Sequence, residues 1–397
     1  MRMSTLGSHY SLVNQMLRQQ SEMARTQMQV STQRRVLTPA DDPIAAGRIL
    51  SLETQISAYA QYERNTNAVQ TRLSIEEQAL ADAGTVLRRV RDLTLQANSG
   101  ALDDVSRAAI ATELDERIRE LQAIGNRRDA SGEFLFAGHS TGTQPFVRTA
   151  AGMAYAGDQG VREVQVSPTQ SVRTGHDGFD VFMDVAAGNG SFIVDAGALN
   201  AGSGWIAPLT VVDEAAWTGG SYTLRFVDAA GYEILDTSGV QVATGSFASG
   251  DAIDFAGVRF SITGAPAAGD TFTIAAAGRQ DLFTSLDRLA ATLRLPTGTE
   301  RERAHFSTGI TTSLGAIDAG LDHLLDVRAQ VGARLNVIDN VNAARDGLEL
   351  ELQSAVSTLR DVDPVEAISR LVMQQNALTA AQKSFAQFSQ LSLFDYL

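Results

Sequence analysis

The stretch "LTPADDPIAAGRIL", Leu37–Leu50, ends one helical pattern and starts another, and it decides the fold. Its first proline pushes the preceding residue away from helical geometry, and Asp41 or Asp42 can accept hydrogen bonds from the free amides of a new helix. Pro43 suits the first position of that helix, because proline lacks the N–H that would stay unpaired there. The stretch "RDVDP", Arg360–Pro364, repeats the acid before a proline. The sequence therefore predicts matching helix breaks near both ends of the chain.

Outside each break, apolar residues recur at the spacing of a helix that packs against another helix. The N-terminal seam consists of Met3, Leu6, Tyr10, Val13 and Leu17. The C-terminal seam consists of Ile368, Leu371, Leu378, Phe385, Phe388, Leu391, Leu393, Phe394 and Leu397. Neither seam has a core in its sequence neighbourhood, so each needs the other, or copies from other subunits, to cover it. On periodicity alone, an ordinary helical bundle with a β insert is an equal alternative.

Between the breaks, helical periods surround a region of another kind. Helices are predicted from Pro43 to about Asn98, from Asp103 or Asp104 to about Asp129, and across the seam Ile310–Leu359. Residues 133–278 change to period two, as in "SYTLRFVD", which is typical of half-buried strands. The predicted fold class is α+β: a long antiparallel helical rod built from both chain ends, with an inserted antiparallel β-sandwich-like domain.

The predicted domain boundaries follow these changes of period. Residues 1–42 and 360–397 form terminal coiled-coil helices, and residues 43–165 and 280–359 form the rod, with a β-hairpin near 133–166. Residues 166–279 form the inserted, variable β-domain. These boundaries place both helix breaks at the ends of the rod.

Composition excludes several classes of function. The net charge of -14 disfavours nucleic acid and anionic membranes as partners, since both attract clustered basic residues. The chain has no cysteine, and its single lysine, Lys383, lies outside any glycine-rich loop, so thiol chemistry and a phosphate-binding loop are not expected. No membrane span and no Sec-type signal peptide are predicted. We expect no cofactor and no metal site, because the five histidines are widely spaced.

One string resembles a catalytic motif. "GHSTG", Gly138–Gly142, matches the G-x-S-x-G nucleophile elbow, in which a strand precedes the serine and a helix follows it. "GEFLFAG" is predicted to supply the strand, but Pro145 and short alternating runs follow, so no helix is expected. The default interpretation is a β-turn in a protein that is not an enzyme. A Ser hydrolase that uses Ser140 with a downstream histidine is kept as a remote alternative.

The segment "VSTQRRVLTPADDPIAAGRILSLE", Val30–Glu53, resembles the N-terminal signature of bacterial flagellins and their relatives. The basic pair Arg34 and Arg35 precedes the cap formed by Asp41, Asp42 and Pro43. Where the family has Ser-Gly before the basic pair, this chain has Ser31-Thr32-Gln33. The strings "GEFLFAGHSTGTQPFV", "AQVGARLNVID", "DVDPVEAISRL" and "LSLFDYL" are similar to the hook-associated branch of that superfamily. The resemblance covers roughly residues 1–180 and 310–397.

The resemblance implies a structural role without turnover. It implies terminal helices that are mobile in the monomer and that assemble in the inner tube of a flagellum, with the β-domain facing outward. The implied function is an adaptor between hook and filament, with hook-associated protein 1 on the hook side, flagellin on the filament side, and copies of the chain itself in the junction layer. The C-terminal helix is expected to bind a cytoplasmic export chaperone. The resemblance also implies an extracellular location after type III export without a cleaved signal. The alternative function is that of flagellin itself, the bulk filament subunit.

Overall fold

The computed structural model describes residues 5–100, 102–207, 210–213 and 215–394, and only the backbone of residues 5, 6, 8, 9 and 388–394. The helices are α1 (Thr5–Thr32), α2 (Pro43–Ala97), α3 (Asp104–Gly125), α4 (Leu282–Thr292), α5 (Glu300–Arg360) and α6 (Pro364–Phe394). Long helices lie before and after an antiparallel β region in the sequence, and this arrangement confirms the predicted fold class.

Fifteen strands lie between α3 and α4 within the described residues. They are β1 (Phe146–Thr149), β2 (Gly152–Tyr155), β3 (Glu163–Ser167), β4 (Gln170–Arg173), β5 (Val185–Ala186), β6 (Phe192–Ala196), β7 (Trp205–Ile206), β8 (Thr210–Val211), β9 (Tyr222–Phe226), β10 (Gly231–Leu235), β11 (Gln241–Ser246), β12 (Ala252–Phe255), β13 (Val258–Thr263), β14 (Thr271–Ala276) and β15 (Arg279–Gln280). A π-helical turn, Phe179–Met183, precedes β5.

The chain divides into two compact units. The terminal unit comprises the described residues up to Arg64 and from Asn340 onward, and the central unit is Asn65–Asp339. The division falls inside α2 and inside α5, because each of these helices extends into both units. The domain boundaries predicted from the sequence lie instead at the helix breaks.

In the terminal unit, α1 packs against α6. A small apolar cluster holds the start of α2 against the end of α5, and its buried members are Val36, Ala45, Ile49 and Val356. Leu52, Ile56 and Leu359 pack around it. Within this unit the start of α2 and the end of α5 therefore share a core next to the two helix breaks.

In the central unit, many apolar residues at helical spacing along α2 and α5 are buried. They include Val69, Leu73, Leu80, Leu87 and Val90 of α2, and Ile310, Ile317, Leu324, Val331 and Ile338 of α5.

The glycines of α5 have a packing role that periodicity does not reveal. A Cβ at Gly309 would lie 2.6 Å from Thr292 Cγ2, and one at Gly320 would lie 2.9 Å from Leu282 Cδ1. These two glycines let α4 approach α5 closely.

The β region forms a sandwich. One antiparallel sheet has the order β11-β10-β9-β14-β6, and the other has the order β12-β13-β7 with β8 beside β13. A continuous core lies between the sheets, with Leu224, Phe226 and Phe272 from the first and Val258, Phe260 and Ile262 from the second. The alternation read from "SYTLRFVD" therefore marks a true sandwich strand, β9.

The segment Gly132–Gly138 corrects one prediction. It contains turns and one isolated bridge between Arg128 and Phe134, so the predicted strand is wrong. The reason is that its backbone bonds to several separate segments and not to one neighbouring strand: the N–H of Leu135 donates to Arg127 O, and Phe136 O accepts the N–H of Gly178. Phe136 instead stacks edge-on against Phe182, with ring centroids 5.4 Å apart.

Candidate assembly interface

The two helix breaks lie side by side in the terminal unit. Arg34 and Asp361 form an antiparallel bridge although they are far apart in sequence. The backbone N–H of Arg35 donates to Arg360 O at 2.7 Å, and the N–H of Val362 donates to Gln33 O at 3.0 Å. We call residues 33–36 and 360–362, together with these bonds, the clasp.

Arg35 closes the clasp with its side chain. Its Nη2 donates to the carbonyl of Leu359 at 2.8 Å, and its Nη1 lies 3.3 Å from Asp42 Oδ2. Gln29, in the last turns of α1, donates from Nε2 to the carbonyl of Arg35 at 2.8 Å. Because the last carbonyls of a helix lack partners within it, a guanidinium at the end of α5 supplies both a donor and a favourable charge. Arg35 thus connects the end of α1, the start of α2 and the end of α5.

The two acids before Pro43 have different tasks. Asp42 Oδ1 accepts the N–H of Ala45 at 2.9 Å and caps α2, which begins at Pro43. Asp41 Oδ2 accepts the N–H groups of Leu37 and Thr38 at 2.9 and 2.8 Å, and its Oδ1 lies 2.6 Å from Arg25 Nη2. Asp41 therefore holds the turn, and Asp42 starts the helix.

Hydrogen bonds to these carboxylates favour their charged forms. The N–H of Thr38 is the main cause that lowers the pKa of Asp41 below its ordinary value. The N–H of Ala45 does the same for the pKa of Asp42, with a further contribution from Arg35. Both groups carry a full negative charge at neutral pH, where a cap binds amides best.

The second break uses the same chemistry. Asp363 Oδ1 accepts the N–H groups of Val365 and Glu366 at 2.8 and 3.3 Å, and α6 begins at Pro364. Ser357 Oγ donates to Asp361 Oδ2 at 2.7 Å and thereby fixes the end of α5. Each break is therefore an Asp-Pro cap, and the clasp joins the two.

At Gln33, which directly follows α1, the backbone takes a left-handed conformation, with φ of 56°. A side chain at such a φ is uncommon outside glycine and asparagine, because Cβ approaches the following carbonyl. The position is the one at which the sequence departs from the Ser-Gly of the flagellin signature. Gln33 is therefore a site of local backbone strain, at a helix C-terminus where glycine is usual.

The structure separates the predicted seams into covered and exposed residues. Leu378 is buried in the terminal unit, and Val13, Leu371 and Phe385 are half-buried. Tyr10 and Leu17 are exposed by 64% and 57%, and Ile368 by 50%. The predicted interface therefore combines residues that α1 and α6 cover for each other with residues that neither covers.

The exposed residues form a stripe on each helix. At 100° per residue, Met28 lies on the same side of α1 as Tyr10 and Leu17 and is 54% exposed. On α6, Val365, Ile368 and Val372 share one side, next to Met373. We call these seven residues the open stripes. Sequence reasoning missed Met28, Val365, Val372 and Met373, which a helical-wheel projection of each seam would have separated from the covered side.

Seven of the predicted interface residues cannot be placed. Met3 and Leu397 lie outside the described residues, and the side chains of Leu6, Phe388, Leu391, Leu393 and Phe394 do so as well.

The alternative catalytic serine is held in a turn. Ser140 Oγ donates to Asp158 Oδ2 at 2.6 Å, and this bond is the main cause that lowers the pKa of Asp158 to about 2. A carboxylate with so low a pKa is a poor base for removing the proton of a hydroxyl. His176 instead pairs with Glu76, at 2.7 Å from Nδ1, and His323 Nε2 lies 2.8 Å from the carbonyl of Asp180. Neither of these two histidines is thus placed to activate Ser140.

Within the part of the chain that the structure describes, no group of three metal-binding side chains comes together. None of the helices so described has both the length and the apolar character to cross a bilayer.

Comparison with known proteins gives consistent matches. The family described as the bacterial flagellin N-terminal helical region matches residues 3–141. Flagellar hook-associated protein 3 of Escherichia coli strain K12 is 24% identical over 395 residues, which is 99% of either chain. By contrast, the B-type flagellin of Pseudomonas aeruginosa is 34% identical over 119 residues, only 30% of this chain and 24% of that protein.

Solved structures agree with these matches. The crystal structure of Xanthomonas campestris FlgL is 36% identical, with a TM-score of 0.73 over 77% of this chain and 99% of that one. The flagellar junction protein FlgL from Legionella pneumophila is 27% identical, with a TM-score of 0.72 over 79% of this chain and 100% of that one.

Proposed function

Because the chain belongs to the FlgL family, the family of flagellar hook-associated protein 3, we propose that it connects the hook of the bacterial flagellum to the flagellin filament. It is a structural component of the flagellum, and its action is packing rather than turnover. The observation that carries the proposal is the pair of open stripes, because α1 and α6 cover each other and still leave a second apolar side on each helix.

The open stripes suit contacts with copies of this chain and with its flagellar neighbours. Exposed apolar residues aligned along two neighbouring helices are more than the scattered exposure of an ordinary surface. The described parts of these helices are also nearly neutral, although the chain as a whole carries a charge of -14. α1 has Arg18, Glu22 and Arg25, and α6 has Glu366, Arg370 and Lys383 as charged residues. Copies can therefore approach through these helices with little like-charge repulsion.

We propose the following neighbours for this interface, which includes the sequence seam Met3 to Leu17 and the seam Ile368 to Leu397. Hook-associated protein 1 lies on the hook side, flagellin on the filament side, and copies of the chain in the junction layer. A cytoplasmic export chaperone covers the apolar C-terminal helix before export. The location is extracellular, on the flagellum, after type III export without a cleaved signal.

Flagellin is the second candidate, and the matches to the two classes differ in extent. The hook-associated relative aligns over 99% of its length and the flagellin over 24%. A bulk filament protein polymerises with itself indefinitely, whereas a junction protein ends after one kind of layer. A purified sample that grows long filaments unaided would favour flagellin.

Localisation on intact flagella tests the proposal. An antibody raised against the β-sandwich, residues 192–276, should label one site at the hook end of each flagellum. Labelling along the whole filament would contradict the junction role and support flagellin, and labelling elsewhere in the cell would contradict both.

We also propose that the chain is not an enzyme. The relatives are structural flagellar proteins, and Ser140 is bound to a carboxylate that is a weak base. A fluorophosphonate probe should leave Ser140 unlabelled. Labelling that disappears in the variant Ser140→Ala would contradict this part of the proposal.

A further inference from the structure

We propose that His176 forms an acid-sensitive latch in the central unit together with two side chains of α5, Gln330 and Arg334. In the neutral state, the His176 ring accepts a hydrogen bond from Arg334. In the protonated state, the ring donates to Gln330 instead, and Arg334 is released. The latch goes beyond the proposed function and does not depend on it.

The His176 ring is fixed to α2 on one side. His176 lies in the link between β4 and the π-helical turn, and its side chain is 7% exposed. Its partner on α2, Glu76, has a side chain that is 2% exposed. Glu76 Oε1 lies 2.7 Å from the ring Nδ1 and accepts the backbone N–H of His176 at 3.0 Å. One carboxylate oxygen therefore holds both the ring and the backbone of the link.

The other side of the ring faces α5. Arg334 Nη2 lies 2.9 Å from His176 Nε2, and Gln330 Oε1 lies 3.3 Å from the same nitrogen. Because a guanidinium can only donate hydrogen bonds, Nε2 has to accept from Arg334 and carries no proton. The proton of the neutral ring then lies on Nδ1, facing Glu76. The contacts thus assign the Nδ1–H tautomer to the neutral state.

Protonation reverses the role of Nε2. Both ring nitrogens are donors in a charged imidazolium, so an N–H at Nε2 would face the N–H of Arg334, and two positive charges would meet. Gln330 Oε1 is an acceptor close to that nitrogen, one helical turn before Arg334. The charged ring therefore has acceptors at both nitrogens, Glu76 and Gln330, and no use for Arg334.

Arg334 is held in a way that permits its release. Its Nη1 is buried and has no hydrogen-bond partner among the described residues. Burial is the main cause that lowers the pKa of Arg334 below its ordinary value, and Glu76 acts in the opposite direction. A buried donor without a partner is costly, so the guanidinium depends on its bond to His176. The residue is half-buried, which leaves it a short path to solvent once that bond is lost.

The other basic groups near the ring have acidic partners of their own. Arg72 of α2 lies beside the link, and its Nη1 is 2.7 Å from Asp129 Oδ2. Arg173, at the end of β4, has its Nε 3.5 Å from Glu163 Oε1. Arg173 also disfavours the charged form of Arg334, so it adds to the tendency of that guanidinium to leave.

Two acidic groups lie in the link and in the π-helical turn. Asp177 Oδ1 accepts the N–H of Asp180, and burial is the main cause that raises the pKa of Asp177. Asp180 favours the charged form of Arg334. Neither carboxylate hydrogen-bonds to the His176 ring in the described structure. Since Asp177 also responds to acid, the test has to follow the ring nitrogens themselves.

Nitrogen NMR of protein with labelled histidine rings supplies that test. The chain has five histidines, and the variant His176→Gln identifies the signals of this ring. At pH 8 the ring should be neutral with its proton on Nδ1, and by pH 5 both nitrogens should carry a proton. A neutral ring with its proton on Nε2, or a ring that stays neutral at pH 5, would overturn the proposal.

Two variants of α5 should move the ring's titration in opposite directions. Arg334→Met removes a like charge and should raise the midpoint by about 1 pH unit, whereas Gln330→Ala removes the acceptor of the charged state and should lower it by about 0.5 unit. Gln78→Ala is the matched control, because Gln78 is exposed on α2 and donates to Asp82. Equal midpoints in all of these proteins would show that α5 does not respond to the ring.

The wild-type protein decides the case in which Arg334→Met does not fold. Cross-peaks between the Arg334 guanidinium and the His176 ring should be present at pH 8 and absent at pH 5. If they persist at pH 5, Arg334 is not released and there is no latch. Failure of the latch leaves the junction role intact, because antibody labelling of flagella tests that role separately.

Discussion

Leu17 offers the sharpest test of the open stripes. Its side chain is 57% exposed in the terminal unit, so little is lost in the monomer when it is replaced. Full burial of a leucine side chain contributes about 1.5 to 3 kcal/mol, so covering the exposed part on assembly contributes roughly 0.9 to 1.7 kcal/mol. The variant Leu17→Ser should then weaken attachment about 4- to 18-fold. Leu17→Glu adds the cost of desolvating a charge and should weaken it by at least about 100-fold.

Gln15→Glu is the matched control for the charge. Gln15 is exposed on α1 and lies about 160° around the helix axis from Leu17, on the side opposite the line of Tyr10, Leu17 and Met28. The assay compares swimming in soft agar with the amount of the protein in detached flagella, and urea unfolding of each purified monomer checks stability. Substitutions at exposed positions should change the free energy of unfolding by no more than about 0.5 kcal/mol.

Two results would refute the reasoning. If Leu17→Glu attaches and swims as Gln15→Glu does, then the stripe of α1 is not covered in the assembly. If Leu17→Glu instead destabilises the monomer by well over 1 kcal/mol, then Leu17 belongs to the core of the terminal unit.

Three other variants test the fold around these sites. Gly178→Ala should lower the free energy of unfolding by about 1 to 3 kcal/mol in urea titrations, because the added Cβ would lie 2.7 Å from Phe146 Cζ; Gly142→Ala, with open space around it, should change little. Gln33→Gly should raise the thermal midpoint, because relief of about 1 to 2 kcal/mol of left-handed strain exceeds the entropy cost of glycine; a lower midpoint would contradict this. Asp158 has its pKa lowered from 3.8 to about 2 in the folded protein, so its contribution to stability is present above about pH 4 and lost as pH falls towards 2. Urea midpoints of Asp158→Asn should therefore fall less than those of the wild type between pH 5 and pH 2, and parallel curves would contradict the assignment.

The sequence by itself determined where the helices break and which region is β. Pro43 and Pro364 limit the backbone through their own rings, and the aspartates before them bind amides only two or three residues away. The same locality explains the strand Tyr222–Phe226, whose alternation records one buried and one solvated face. The prediction fails at Gly132–Gly138, where four consecutive buried residues form turns and no strand. These residues pack against distant parts of the chain, such as Phe182, which local pattern does not show.

Only the tertiary structure decided which apolar residues are free and what holds the two breaks together. Periodicity marks Tyr10 and Leu378 alike as apolar positions on a helix, but Tyr10 is exposed and Leu378 is buried. The clasp joins Gln33 to Val362, residues whose proximity depends on how α2 and α5 pack and not on any local preference. Burial is a property of the neighbours that a side chain finds, and those neighbours come from distant parts of the chain.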